Sequence, residues 1–225
     1  MQEEKAQSIQ NNMNKENMAG PDQQFLFKRN SGSFSNEYGI VRDYYLCGEI
    51  GSADAYTEMF HEIRSAREYD VIRLHINSPG GDLFTTIQFL QAMVDSDGHI
   101  IASVEGACMS AATMIFLMAN EYIIGDHSVF LFHNYSGGTT GKGGEMYRNI
   151  MHQRKWTETL LKDIYKGFLT DSELNELIND KDIWMDSPQV IERLKIRGEA
   201  ISKKIEAAKK QAKKKTAKPR KRTKK

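Results

Sequence analysis

The chain has 225 residues, 31 Lys and Arg against 30 Asp and Glu, and 40% hydrophobic and 9% aromatic residues, which suits one globular domain of ordinary size with polar extensions. It is neither collagen-like nor disulfide-rich: Cys47 and Cys108 lie in apolar segments without CxxC or Cys/His ligand spacing, so buried thiols in a reducing compartment are expected. The longest apolar stretch, around Ile115 to Ala119, falls well short of the ~20 residues that cross a bilayer, and the amino terminus lacks an apolar signal-peptide core, so a cytoplasmic protein is expected rather than a membrane or secreted one.

The near-zero charge balance hides a segregation. Residues 202–225 carry 13 Lys/Arg and one acid, a net +12, so the other 201 residues carry −11. With Pro219 inside it and no large apolar residue after Ile205, this tail cannot bury enough surface to offset its ordering entropy, and disorder is expected. Residues 1–30 hold ten Gln/Asn, the composition of a polar, disordered arm over residues 1–36. The compact body is expected over residues 37–201, a common single-domain size.

Along the body, Tyr44 to Cys47 and the alternating run Val71 to Ile76 predict strands. Between them Tyr56, Met59, Phe60 and Ile63 fall at helical spacing after the possible cap Ser52, predicting a helix over 53–67. The pattern repeats with a helix over 83–94, a strand over 99–104, an apolar helix over 110–119 and short strands over 122–124 and 128–132. Alternating strands and helices predict an α/β domain with a mainly parallel sheet covered by helices. Beyond a glycine-rich stretch, Ser136 to Gly144, a long amphipathic helix is predicted over 145–168, with apolar positions from Met146 to Phe168. Roughly 36 Å of helix is more than such a domain needs as cover, which points to a projection into a partner subunit. A helix over 171–178, an extended piece over 183–185 and a helix over 187–197 close the body.

Two turns aim backbone amides rather than merely connecting elements. Asn77-Ser78-Pro79-Gly80-Gly81 follows a strand and precedes a helix, and its glycines allow amides to converge on an anion. Gly106-Ala107-Cys108-Met109-Ser110-Ala111-Ala112 passes from strand to helix, placing the Ser110 hydroxyl beside unpaired helix amides and the positive end of the helix dipole. A nucleophile belongs there, and so does an ordinary N-cap serine; both roles are open on this ground.

Together the two turns, with His133 ending the strand Ser128 to Phe132, resemble the Clp protease proteolytic subunits, the ClpP-type serine peptidases of the crotonase-like fold. The match spans about residues 40–198, and Gly81 precedes Ser110 by 29 residues, the spacing the family leads one to expect. The resemblance implies Ser110 as nucleophile, His133 as general base, and Asp182 in Asp182-Ile183-Trp184 as the acid that orients it, with Asp180 as the near rival. It also implies an oxyanion hole of the Gly81 and Ala111 backbone N–H groups. His61, His75, His99, His127 and His152 have no comparable support. The chain departs from the family at Ala111, usually Met, at Cys108-Met109, usually smaller, and at Asn134, where Gln-Pro is usual.

The resemblance further implies that the long helix is a handle through which stacked homo-oligomeric rings enclose a chamber. An ATP-driven AAA+ unfoldase of the Clp type would feed protein substrates into it. The sequence has no GxxxxGK[ST] motif, so ATP enters only through such a partner, and neither a cofactor nor a metal is expected in this chain. Residues 202–225 are an addition to the family pattern and suit a solvated extension or contact with nucleic acid or another polyanion. Viral relatives suggest an alternative, a phage-type protease processing prohead or scaffold proteins in the host cytoplasm without an unfoldase. A catalytically idle, polyanion-binding scaffold and a crotonase-type acyl-CoA hydratase are the remaining readings.

Overall fold

Strict alternation along Val71–Ser78 buries Ile72, Leu74 and Ile76 on one side of the strand and leaves Arg73 and His75 half-buried on the other, as a pleated chain requires. This strand lies near the middle of the fold seen in a computed structural model, which describes residues 34–36 and 39–216. The disorder expected for residues 1–33 and beyond 216 falls outside the described residues.

The elements run β1 (Phe34–Asn36), β2 (Gly39–Cys47), a 3-10 turn (Ala53–Tyr56) leading into α1 (Thr57–Ser65), β3 (Val71–Ser78), α2 (Leu83–Asp95), β4 (His99–Met109) and α3 (Ala111–Leu117). They continue with β5 (Glu121–Ile124), β6 (Val129–Phe132), α4 (Gly143–Tyr165), α5 (Asp171–Ile178), β7 (Ile183–Asp186) and α6 (Ser187–Thr216). The seven strands form one sheet in the order β1-β2-β3-β4-β6-β7, with β5 also on β4. β2, β3, β4, β5 and β6 pair in parallel, while β1 and β7 are antiparallel to their neighbours. The expected mixed α/β, mainly parallel architecture is therefore observed.

β4 serves two partners: Ile101–Val104 pairs with β5, and Ala107–Met109 with β6. The change-over needs two extra residues, since the β3/β4 register passes from Ile76↔Val104 to Ser78↔Cys108, leaving Glu105 and Gly106 as a bulge. The Asn77 side chain bridges the gap, its Oδ1 accepting from the Ala107 N–H at 3.0 Å. A Cβ at Gly106 would stand 2.7 Å from that oxygen and would push the Asn77 amide aside. This bulge also carries β4 to Met109, five residues past the expected end at 104.

Apolar packing closes one face of the sheet. Phe60 and Phe89, from α1 and α2, meet edge-to-face at 4.6 Å, and Phe132, on β6, meets Tyr165, at the end of α4, at 5.6 Å; such pairs add to the gain from area alone. On the other face the His75 ring stacks on Tyr45 at 4.5 Å and reaches Asp43 at 3.0 Å and Glu105 at 2.5 Å.

Several expectations are corrected. Cys47 is exposed, because Leu46 takes the inward position at the end of β2; only Cys108 of the pair is buried. α4 ends at Tyr165 rather than 168, where Gly167 at φ 79° turns the chain just after the helix. Its apolar face is not wholly spare: Leu161, Ile164 and Tyr165 are buried in their own subunit, and only the first half exposes Tyr147, Ile150 and Met151. Residues 34–36 of the polar arm form β1. α6 runs through the expected boundary at 201 to Thr216, since Lys, Ala, Glu and Gln are strong helix formers and extension from an anchored helix costs little.

The anchor of α6 is a bidentate pair. Arg193 meets both oxygens of Glu173 at 2.6 and 2.8 Å, and Glu173 also closes the capping box of α5 with Thr170. Hydrogen bonds from Arg193, joined by those of Thr170, hold the Glu173 carboxyl at about 2 against an ordinary 4.5. A depressed acid contributes stability above its unfolded pKa and loses it as pH falls through the folded one. Urea titrations should therefore show stability falling from about pH 4.5 towards pH 2, with Arg193→Gln lowering the neutral-pH value and flattening that slope. Equal slopes in the two proteins would contradict this assignment.

Candidate active site

β4 and β6 end side by side. Their ladder closes at Met109↔Leu131, and the Ser110 N–H continues it by donating to the Leu131 carbonyl at 2.8 Å. Ser110 thus stands beside Phe132, one residue before His133. On the far side of β6, β7 pairs Ile183 with Phe132, so the next antiparallel step sets Asp182 opposite His133. The order across the three strands is serine, histidine, aspartate, at the carboxyl ends of the parallel strands where open α/β sheets bind ligands.

Ser110, His133, Gly81 and Ala111 line one cleft of about 280 Å³. Asp182 is exposed and outside the cleft lining, behind His133 as seen from Ser110. Among the described residues, no hydrogen bond joins the three side chains to one another; such contacts are often loose before substrate arrives. Asp180 is engaged elsewhere: it sits at φ 67° and accepts from Asn134 Nδ2 at 2.8 Å. Asn134 thereby ties the chain just after His133 to the loop before β7.

Ser110 occupies the N-cap position of α3 but does not cap it with its side chain. Its backbone lies at φ 53°, ψ −128°, and its side chain makes no capping hydrogen bond to α3. An L-residue in this region is strained by about 1–3 kcal/mol, and strain of this kind clusters at functional sites. Three contacts hold the turn: the bond to Leu131, a bond from Thr113 Oγ1 to the Ser110 carbonyl at 2.6 Å, and the close approach of Gly80. A Cβ on Gly80 would come within 2.6 Å of Ser110 Cβ and 2.7 Å of the Met109 carbonyl.

The Asn-Ser-Pro-Gly-Gly turn is held as tightly. Ser78 Oγ accepts from the Gly80 N–H at 3.1 Å, and Asp82 caps α2 by accepting from Thr85 N–H at 2.7 Å. Gly81 forms a bridge with Ile50 whose bonds use the Gly80 carbonyl and the Asp82 N–H, at 2.8 and 2.7 Å, leaving the Gly81 N–H unspent. Ala111 opens α3, so its N–H has no partner within the helix. Two unspent amides on the wall of one cleft suit a developing oxyanion.

The cleft's other wall is not anticipated in the sequence analysis. Phe84, 71% exposed, stacks on Trp156 of α4 at 5.6 Å and 21°, and both line the cleft with Met114 and Gln153. Thr113 Oγ1 also bonds the buried Tyr165 hydroxyl at 2.7 Å, linking the Ser110 turn to the end of α4. The one available signal was the Phe84 side chain three residues after Gly81; its partner is too distant in sequence to infer. The Cys108 thiol below the turn is fully buried, which pushes its pKa up and leaves it inert. Among the described residues, no His/Cys/Asp/Glu cluster could hold a metal ion.

A family model described as Clp protease matches residues 42–193, most of the chain and every element from β2 to the start of α6. No curated protein matches significantly. The chain belongs to the Clp protease family, and its fold is of the ClpP type.

The strain at Ser110 has a measurable consequence. Glycine accepts this backbone conformation and alanine does not, so Ser110→Gly should be more stable than Ser110→Ala by about 1 kcal/mol, once the entropy that glycine loses on folding is offset. Chemical denaturation of both variants measures the difference; an alanine variant as stable as the glycine one would remove the strain.

Proposed function

We propose that this member of the Clp protease family is a serine endopeptidase working through Ser110, His133 and Asp182. The supporting observation is the strained, non-capping Ser110 on the wall of a cleft it shares with His133 and two unspent amides. Ser110 Oγ attacks the scissile carbonyl carbon while His133 takes its proton, and Asp182 holds the imidazole in the receiving tautomer. The oxyanion lodges between the Gly81 and Ala111 N–H groups, donors typically worth ~3 to 4 kcal/mol each. Collapse expels the amine, which leaves with the proton from His133, and water then releases the acyl group by the same route in reverse.

Oligomerisation is the second part of the proposal. Tyr147, Ile150 and Met151 stand exposed along the first half of α4, an apolar stripe suited to a second copy, and the glycine-rich stretch before it leaves room for close approach. A chamber formed this way admits only unfolded chains, so an ATP-driven unfoldase would supply them.

Ser110→Ala should abolish peptide hydrolysis and fluorophosphonate labelling, a loss on the scale of ~10⁶ in kcat. Asp182→Asn should lower kcat by up to ~10⁴, as loss of an orienting acid does elsewhere, while Asp180→Asn changes it little. The reverse order for the two aspartates would shift the acid's assignment by two residues.

For assembly, Ile150→Asp should lower particle mass in sedimentation while circular dichroism is preserved. Leu161→Asp, at a fully buried position, should instead destabilise the subunit. An Ile150→Asp particle of unchanged mass would rule out this face.

A further inference from the structure

The far half of α6 is lysine-rich, and its described lysines stay exposed. Its 30 residues span about 45 Å, and the first third is held by Arg193, by Arg197 Nη1 on the Leu117 carbonyl, and by the buried Gly198. Beyond that point Lys203, Lys204 and Lys209 are exposed. A body of net −11 would be the obvious partner for a segment of net +12. Among the described residues, the one ion pair in this stretch is Lys203 with Glu199 on the same helix, at 3.9 Å and exposed on both sides, a contact worth little. Among the described residues, Lys203, Lys204 and Lys209 thus make no ion pair with the body.

We propose that the extension of α6, residues 202–216, binds nucleic acid through its phosphate backbone. Residues 202–216 hold seven Lys and one Glu on about 22 Å of helix, and duplex DNA offers one negative charge per ~1.7 Å of axis. The composition decides between kinds of partner. No residue after Ile205 is a large apolar or aromatic one, so the arm lacks the side chains that insert into a membrane interface. It equally lacks the aromatic anchors that dominate protein interfaces, where lysine is depleted. A lysine-rich arm without such anchors recognises charge density, not base edges, so binding is strong at low salt and indifferent to sequence. The proposal is independent of the peptidase chemistry.

The test uses the full chain. Binding of two unrelated DNA duplexes is measured at about 50 and 200 mM salt. The same measurements are made on a full-length variant carrying Lys203→Gln, Lys204→Gln, Lys209→Gln and Lys210→Gln. Phosphatidylcholine vesicles with and without phosphatidylserine serve as the membrane arm. Affinity should fall by at least ~10³-fold over that salt range, similarly for both duplexes, and the slope should drop by about 0.9 for each substituted lysine that contacts phosphate. Gln is close to Lys in helix propensity, so helicity and peptide hydrolysis should be unchanged. Lack of DNA binding at the lower salt, or a variant that binds with the affinity and slope of the parent chain, overturns the proposal. Tighter binding to the anionic vesicles than to DNA also overturns it, in favour of a membrane surface.

Discussion

Two surplus residues in β4, Glu105 and Gly106, are the constraint from which the site follows. Without them the strand would keep one register against β3 and end beside β5. With them its second half swings onto β6, and the chain reaches Ser110 at the level where β6 delivers His133. The Asn77 amide supports this by accepting from the Ala107 N–H, which the shift takes out of the β3 ladder. Asn77 is also the first residue of the turn that presents Gly81. One side chain therefore sets the spacing of the strand ending at Ser110 and the turn that presents Gly81 together.

Strain is localised where that geometry ends. Ser110 alone bends from strand into helix at positive φ, while the surrounding contacts from Leu131, Thr113 and Gly80 over-determine the turn. α4 touches this assembly twice. Tyr165 meets Thr113 below the turn, and Trp156 meets Phe84 at the rim of the cleft. The helix whose exposed half suits a second subunit is thus packed against both the floor and the wall of the site, and its buried half belongs to the subunit's own core.

The charge distribution divides along the same chain. Carboxylates that matter to the body are tied down locally: Asp70, 2% exposed, has its pKa held down despite burial by the amides of Arg67 and Ile40, and Glu173 is held by Arg193. Among the described residues, Lys203, Lys204 and Lys209 of the α6 extension have no such partners in the body. Helix propensity gives that extension a direction without giving it a core.

Much of this was legible in residue order. The alternation of Val71 to Ile76 and the three- and four-residue steps of the helices fix element type, because side-chain periodicity is a local property. The Ser-Pro-Gly-Gly turn and the small residues around Ser110 marked the two places where backbone amides were to be used, since only glycine and alanine allow such approach. The ends of elements were less legible. Whether β4 stops at 104 or 109 depends on β6 being alongside, and whether Leu161 is a spare or a core residue depends on which surface α4 meets. The exposure of Cys47, the Phe84–Trp156 wall, and the β6–β7 register that sets Asp182 level with His133 likewise required the sheet to be assembled. Each is a relation between segments distant in sequence, set by strand register and packing, and no local pattern of residues encodes it.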